Sequence, residues 1–338
     1  MISDMSIEFT FLMATERSGG NLLTKILDSH NQVCGPTPSH LIRVMSLNRL
    51  AYGDFHSDKN WEMLLNDIVD VMSHQLGKWV SSFNVGLLSE LVSERSLSEV
   101  IKVIYELETS KNNKKKVFIK ESHLYKFIPF LLENFPEAKF VYLVRDPRDM
   151  ALSWKKSYNT HHKGGVMGAS EVWKQDQEMG LLNFGYLYDT GRTCLVKYED
   201  ILQCPEATIH RICDHLTLEY DPEMLGFYNG KTVRKNAERL SSWSNTTQPL
   251  MKNNLGKYKN ELSRHEIEYI ESFCAEEMKI LGYQPDYTIR ELDEIRAFAK
   301  TTEELVLNRN EVVNKDELDI IENRRKIVKQ IFEKPRLV

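Results

Sequence analysis

This 338-residue sequence predicts an α/β fold, a mostly parallel central sheet flanked by helices, with a helical insertion and a helical C-terminal extension. Three observations carry that expectation. Apolar runs at 9–14, 117–120, 139–144 and 193–197 have the length and bounds of buried strands. Between them, apolar residues recur at helical spacing, and strands alternating with helices make βαβ units with right-handed crossovers. The first apolar run opens into a loop with two glycines and then a helix, an arrangement that cradles anions.

Taken in order, Phe9–Ala14 is the first strand, Thr15–Gly20 the loop, and Leu22, Leu23, Ile26 and Leu27 the apolar face of the first helix. Ser29-His30-Asn31 ends that helix, and Val33-Cys34-Gly35 reads as a short strand. Gly35-Pro36-Thr37-Pro38-Ser39-His40 is a turn that returns to the mouth of the loop. Residues 41–110 are expected to be mostly helical, with stripes at Trp61, Leu64, Leu65, Ile68, Val69 and Met72, and at Val100, Ile101, Ile104 and Leu107. Lys111–Lys116 reads as a solvated basic turn. Glu121-Ser122-His123 leaves the carboxyl end of the second main strand, and Phe127–Phe135 is an amphipathic helix stopped near Pro136.

Arg145-Asp146-Pro147 follows the third strand, with Pro147 suited to the first helical position and the helix running to Tyr158. His161–Gly165 is a loop, Glu171–Tyr188 a helix, and Tyr198-Glu199-Asp200 opens another helix after the strand 193–197. Residues 221–262 are irregular with short helices, and Ser263–Leu281 is one regular helix ending at Gly282. The main domain is drawn at 1–290, with 41–110 as an acceptor-side insertion; 291–338, rich in Glu, Lys, Arg and Asn, is a charged helical extension. Ligands in parallel sheets bind outside the carboxyl ends of the strands, so the loops at Arg17, His123 and Arg145 should converge.

Composition bounds the function classes. Charged residues at 28% and hydrophobic ones at 41% are ordinary for a soluble globular protein. A net charge of −5 argues against general nucleic-acid binding, so basic character must be local, at Arg17 and Arg145. No apolar run is long enough to span a bilayer, so no membrane association is expected, and no secretory leader is visible. Five scattered cysteines without C-x-x-C fit free thiols in a reducing cytoplasm. No cluster with metal-ligand spacing occurs, and no metal is expected.

The loop is not the nucleotide triphosphate loop, because G-x-x-x-x-G-K-[ST] is absent and Lys25 lies too far down the helix. Its backbone N–H groups, the helix dipole and the planar fork of Arg17 suit phosphate or sulfate oxygens. Arg17-Ser18-Gly19-Gly20-Asn21-Leu22-Leu23 resembles the 5′-phosphosulfate loop of the sulfotransferases, which transfer a sulfuryl group from 3′-phosphoadenosine 5′-phosphosulfate (PAPS). Val141–Trp154, reading V-Y-L-V-R-D-P-R-D-M-A-L-S-W, resembles that family's 3′-phosphate segment. The resemblance spans about residues 8–283 and is nearest in pattern to the bacterial and tyrosylprotein branches, which share an arginine at the position of Arg17 in the latter case.

The resemblance implies a P-loop-like three-layer sandwich and a cofactor site of Arg17, Ser18, Gly19, Gly20, Asn21 and Leu22 at one end, Arg145 and Ser153 at the other. Leu195–Ile201 resembles the family's Y-E-D segment, with structural roles for Glu199 and Asp200. Gly256–Leu262 resembles the loop that closes over the cofactor, which makes Lys257, with Lys252, a candidate for the 3′-phosphate. Trp243 and Tyr228 are better read as core than as adenine platforms.

Sulfuryl transfer is an in-line displacement that rests on positioning and charge stabilisation. Arg17 suits the departing oxyanion, Lys120 resembles a lysine that helps stabilise transfer in the family's cytosolic branch, and a histidine is the expected general base. His40 and His123 compete for that role, with Glu121 and Glu16 behind them. The acceptor expected is a hydroxyl or amine of a small molecule. A carbohydrate or peptide acceptor, or a PAPS-binding protein without turnover, are the alternatives. Acceptor choice is assigned to 41–110, 159–170 and the extension, whose apolar spacing is compatible with a homodimer.

Overall fold

The computed structural model describes residues 7–157, 164–293, 295–296 and 314–336. Its centre is a five-stranded sheet of β1 (Glu8–Ala14), β2 (Val33–Cys34), β3 (Lys116–Lys120), β4 (Lys139–Val144) and β5 (Thr193–Lys197). All pairings are parallel, in the order β2-β3-β1-β4-β5. Phe11 of β1 is in register with Ile119 on one side and Phe140 on the other.

The strands read as unbroken apolar runs because both sheet faces are covered. Phe11 and Met13 enter one core with Val117, Ile119 and Phe140, whereas Leu12 and Ala14 enter a second with Phe118, Val141 and Leu143. Alternation along β1 therefore feeds two cores from one strand. The chain leaves β1 towards β2 and leaves β4 towards β5, in opposite directions. The switch point of the topology thus lies between the carboxyl ends of β1 and β4, where Arg17 and Arg145 follow.

Helix α1 (Gly20–Asp28) buries Leu23, Ile26 and Leu27 in the second core. The insertion holds α2 (Leu41–Leu47), α3 (Asp58–Ser73), α4 (Val85–Leu91) and α5 (Leu97–Lys111). Asn84 and Ser96 cap the last two, accepting from the N–H groups of Leu87 and Glu99. The expected basic turn is partly structural: Lys114 binds the carbonyl of Val33 at 2.7 Å, and Lys116 the carbonyl of Leu216 at 3.1 Å. The helix expected at 127–135 is a 3₁₀ turn (Leu124–Phe127) followed by α6 (Ile128–Asn134).

Helix α7 (Pro147–Lys156) starts at Pro147, as the sequence predicts, with Asp146 as its cap at 2.9 Å from the Arg148 N–H. α8 spans Val166–Tyr188, five residues more than expected at its start, because Val166, Ala169 and Ser170 are buried. It is followed by α9 (Tyr198–Gln203), α10 (Pro205–His215), α11 (Lys231–Arg239) and α12 (Tyr258–Glu261). The single helix expected over 263–281 is two, α13 (Arg264–Phe273) and α14 (Ala275–Ile280). The break falls at buried Cys274, whose thiol turns to the Ser170 carbonyl at 3.8 Å. Helix α15 (Lys315–Phe332) covers the described part of the extension and packs on the insertion.

One buried ionic network fixes the carboxyl side of β4. Arg148 donates to Asp146 at 2.9 and 2.7 Å and to Glu271 at 2.5 Å. Removing one partner of a buried pair strands the other charge. Arg148→Met should therefore lower stability by about 3–5 kcal/mol in urea unfolding; a loss below about 1 kcal/mol, the exposed-pair range, would show that the network is solvated.

Candidate active site

The loop after β1 is held in a conformation few side chains tolerate. Gly19 has φ 90°, and Arg17 itself adopts φ 68°. A Cβ on Gly19 would lie 2.3 Å from the ring of Tyr198, so the backbone runs directly against that ring. A Cβ on Gly20 would meet the Lys120 side chain at 2.7 Å. The hydroxyl of Ser18 is fully buried and has no hydrogen-bond partner.

From the end of β4, Arg145 reaches back to this loop. Its Nη1 donates to the Arg17 carbonyl at 2.9 Å and its Nη2 to the Asn254 carbonyl at 3.4 Å. The guanidinium lies 4.3 Å from the centre of the Tyr198 ring, and its buried Nε has no partner. Arg17 Nε donates to Ser153 Oγ at 3.2 Å. Asp146 pairs with Arg148 and not with Arg145. Arg17, Arg145, Ser153 and Lys120 therefore line one cleft, together with Asn21 and Tyr198.

The cleft is electropositive by construction. Among the described residues, Arg17, Lys120 and Arg145 form no ion pair with a carboxylate. Burial, followed by the neighbouring Arg145, pulls the Arg17 pKa below its ordinary value. Burial also brings Lys120 down to about 8, with Glu16 opposing the fall and Arg17 adding to it.

A second cavity of about 540 Å³ adjoins the first and shares Arg17, Asn21 and Lys120 with it. His40 and Glu16 line this second space. His40 precedes α2 with φ 57°, and its Nδ1 is buried without a partner. Burial and then the nearby cations Arg43, Arg324 and Lys120 hold its pKa well below the usual histidine value.

Glu121 explains the placement of His40. Its buried carboxylate accepts from the N–H groups of Ile42 and Arg43 at 3.2 and 3.0 Å, and from Ser39 Oγ at 3.0 Å. It holds the first turn of α2 to the end of β3. His123 lines neither cavity. Its Nδ1 lies 3.2 Å from both Asp176 Oδ1 and the Tyr125 hydroxyl.

The profile of the sulfotransferase family matches residues 10–222, well over half of the chain. This chain belongs to the sulfotransferase family. It is 24% identical over 308 residues to a putative protein-tyrosine sulfotransferase of Caenorhabditis briggsae, covering 86% of this chain and 96% of that protein. The sulfotransferase domain of the Synechococcus PCC 7002 olefin synthase superposes with a TM-score of 0.57 at 16% identity, over 84% of this chain and 98% of that one. The sulfotransferase domain of the curacin biosynthetic pathway gives 0.53 at 18% identity, over 83% and 99%. At these identities the two structures speak for the shared fold.

Some sequence candidates in this sulfotransferase fall elsewhere. Lys257 is absent from the lining of the cleft; the backbone on either side of it, at Gly256 and Tyr258, is tied to Asp149 at 2.6 and 3.1 Å. Lys252 is exposed, and Asn254 with Met251 supplies that edge instead. Lys25 bonds the Gly35 carbonyl at 2.7 Å, away from the loop. Trp243 and Tyr228 are core residues as expected, Trp243 in a small cluster with Leu240 and Ile321 at the edge of the second cavity and Tyr228 against the second core. Glu199 is structural, accepting from the Asp146 N–H at 2.9 Å and the Tyr283 hydroxyl at 3.0 Å. His161 and His162 lie outside the described residues.

Sequence reasoning passed over Tyr198 and Asn254. The first sits inside the Y-E-D segment, and its hydroxyl receives the Asn254 amide at 2.8 Å. The fit at Gly19 generates a sharp expectation. Gly19→Ala should lower stability by about 1–3 kcal/mol through strain and overpacking against Tyr198. Adding Tyr198→Ala should recover part of that loss in thermal unfolding, and a neutral Gly19→Ala would contradict the close approach.

Proposed function

We propose that this sulfotransferase moves the sulfuryl group of PAPS to a hydroxyl or amine of a small-molecule acceptor. The observation that carries this reading is the junction of two cavities at Arg17, Asn21 and Lys120, with His40 on the side away from Tyr198. A donor in one cleft and an acceptor in the other would meet at those cations.

The residues present fit the donor. The buried, unpaired Arg145 Nε and three cations without carboxylate partners among the described residues suit an anionic ligand in the cleft. Arg17, Ser18, Gly19, Gly20, Asn21 and Leu22 would hold its 5′ end, and Arg145 with Ser153 its 3′-phosphate. When bound, PAPS supplies the activated sulfuryl group, and adenosine 3′,5′-bisphosphate (PAP) is the product.

The chain's own residues then do three things. Arg17 and Lys120 stabilise charge where the transferred group and the departing phosphate oxygen separate. His40, kept neutral by its surroundings at physiological pH, accepts the acceptor's proton. Glu121 positions His40 through the backbone of α2. His123 is the second candidate base, favoured by its contact with Asp176. No described helix is long and apolar enough to cross a membrane, and five unpaired cysteines support a cytoplasmic setting.

Arg17→Ala and Arg145→Ala should each abolish the thermal stabilisation given by PAP, whereas ATP should stabilise the native protein little. His40→Ala should keep PAP binding and lose turnover by roughly 10²–10⁴-fold; a fully active variant moves the base to His123.

Lys120 adds a pH test. Its cation favours binding, so PAP affinity should be complete below about pH 7 and weaken as pH rises through about 8. Isothermal titration from pH 6.5 to 9.5 should show this fall in the native protein. It should be absent in Lys120→Arg, and a fall common to both would assign it to another group.

A further inference from the structure

The second cavity has a chemistry of its own. One wall comes from α15, through Ile321, Arg324, Arg325, Val328, Lys329 and Phe332. Trp243 and Leu240 pack against Ile321 of that wall in one small apolar cluster, and α2 contributes Arg43 to the lining. Glu16, beside Lys120 at the junction with the donor cleft, is the one carboxylate among the described lining residues. The far end is therefore cationic over an apolar body.

These cations are not neutralised within the described chain. Arg324 is buried and donates to the carbonyls of Val71 and Ser39, which fix its fork without giving it a counter-charge. Arg43 Nε is buried and without a partner. Neither arginine, nor Arg325, forms an ion pair with a carboxylate among the described residues. Glu121 lies behind the wall with its oxygens taken by Ser39, Ile42, Arg43 N–H and Tyr105, so it offsets one charge without pairing. Lys329 alone has a surface partner, Glu333 at 3.5 Å. A buried guanidinium such as that of Arg324, without a counter-ion among the described residues, is costly unless something anionic joins it.

We infer that the acceptor of this enzyme is an amphiphile with an anionic group, a carboxylate, phosphate or sulfonate, held by Arg43 and the cationic face of α15 while its apolar body lies against Trp243, Ile321 and Val328. The inference rests on the reading of this cavity as the acceptor side. It makes α15 a specificity element of the site.

A matched pair of fluorescent dyes tests it without knowledge of the natural acceptor. 1-Anilinonaphthalene-8-sulfonate and N-phenyl-1-naphthylamine share an aromatic body and differ by the sulfonate. Each is titrated into the full chain with saturating PAP, which occupies the donor cleft. The sulfonate dye should bind about tenfold or more tightly than the neutral one, the range of one charge-assisted contact. Arg43→Gln, and separately the double variant Arg325→Gln/Lys329→Gln on exposed positions of α15, should each remove most of that preference and leave neutral-dye affinity unchanged. Equal affinity of the two dyes, a preference that survives both variants, or binding of neither dye overturns the inference. Failure of PAP itself to bind, read in the same titrations, would instead count against the donor assignment and leave the dye comparison interpretable.

Discussion

The hydrogen bond from Arg145 to the Arg17 carbonyl joins two loops that are 128 residues apart in sequence. It places two guanidinium groups side by side at the one point where the sheet topology opens. Like charges at that range repel, and burial amplifies the effect. The arrangement persists because the cost is offset elsewhere: Tyr198 takes the face of Arg145, Ser153 takes an N–H of Arg17, and Asp146 is drawn away to Arg148. Had Asp146 paired with Arg145, the cleft would have lost one of its three cations. The buried Asp146–Arg148–Glu271 network thus helps keep the cleft electropositive, since it holds the Asp146 carboxylate on Arg148.

Three residues other than glycine at this edge have left-handed backbones: Arg17, His40 and His123, with φ of 68°, 57° and 58°. Such conformations cost energy and need surroundings that over-determine them. For His40 the surroundings are visible. Glu121 ties the N–H groups of α2 to the end of β3, so the residue just before α2 has little freedom. A group read in sequence as a spare base instead acts as the brace for the neighbouring histidine.

The four main strands were legible because both faces of the sheet are covered, which leaves uninterrupted apolar runs. The glycine loop, Pro147 and the pair Arg17 and Arg145 were legible because local chemistry demands those residue types. Helix limits were less so. α8 begins early because buried residues override a glycine-rich approach, and the break at Cys274 depends on a contact to Ser170 from another helix. Lys257 shows the limit of motif reading: its neighbours match a pattern, but Asp149 decides where the backbone runs. The extension was expected to share in acceptor choice, but which side chains of α15 line the cavity was not legible, because its periodicity shows an amphipathic helix and not the surface it covers.

The cleft and the cavity differ in when the chain can complete them. Every described residue lining the cleft lies at or before Asn254, whereas the cavity takes six of its described lining residues from α15. A polypeptide interrupted just before α15 would keep the described residues of the cleft and of the Asp146–Arg148–Glu271 network and leave the cavity an open trough. Any variation confined to the last helix can therefore reshape one ligand's surroundings while the other ligand's stay constant.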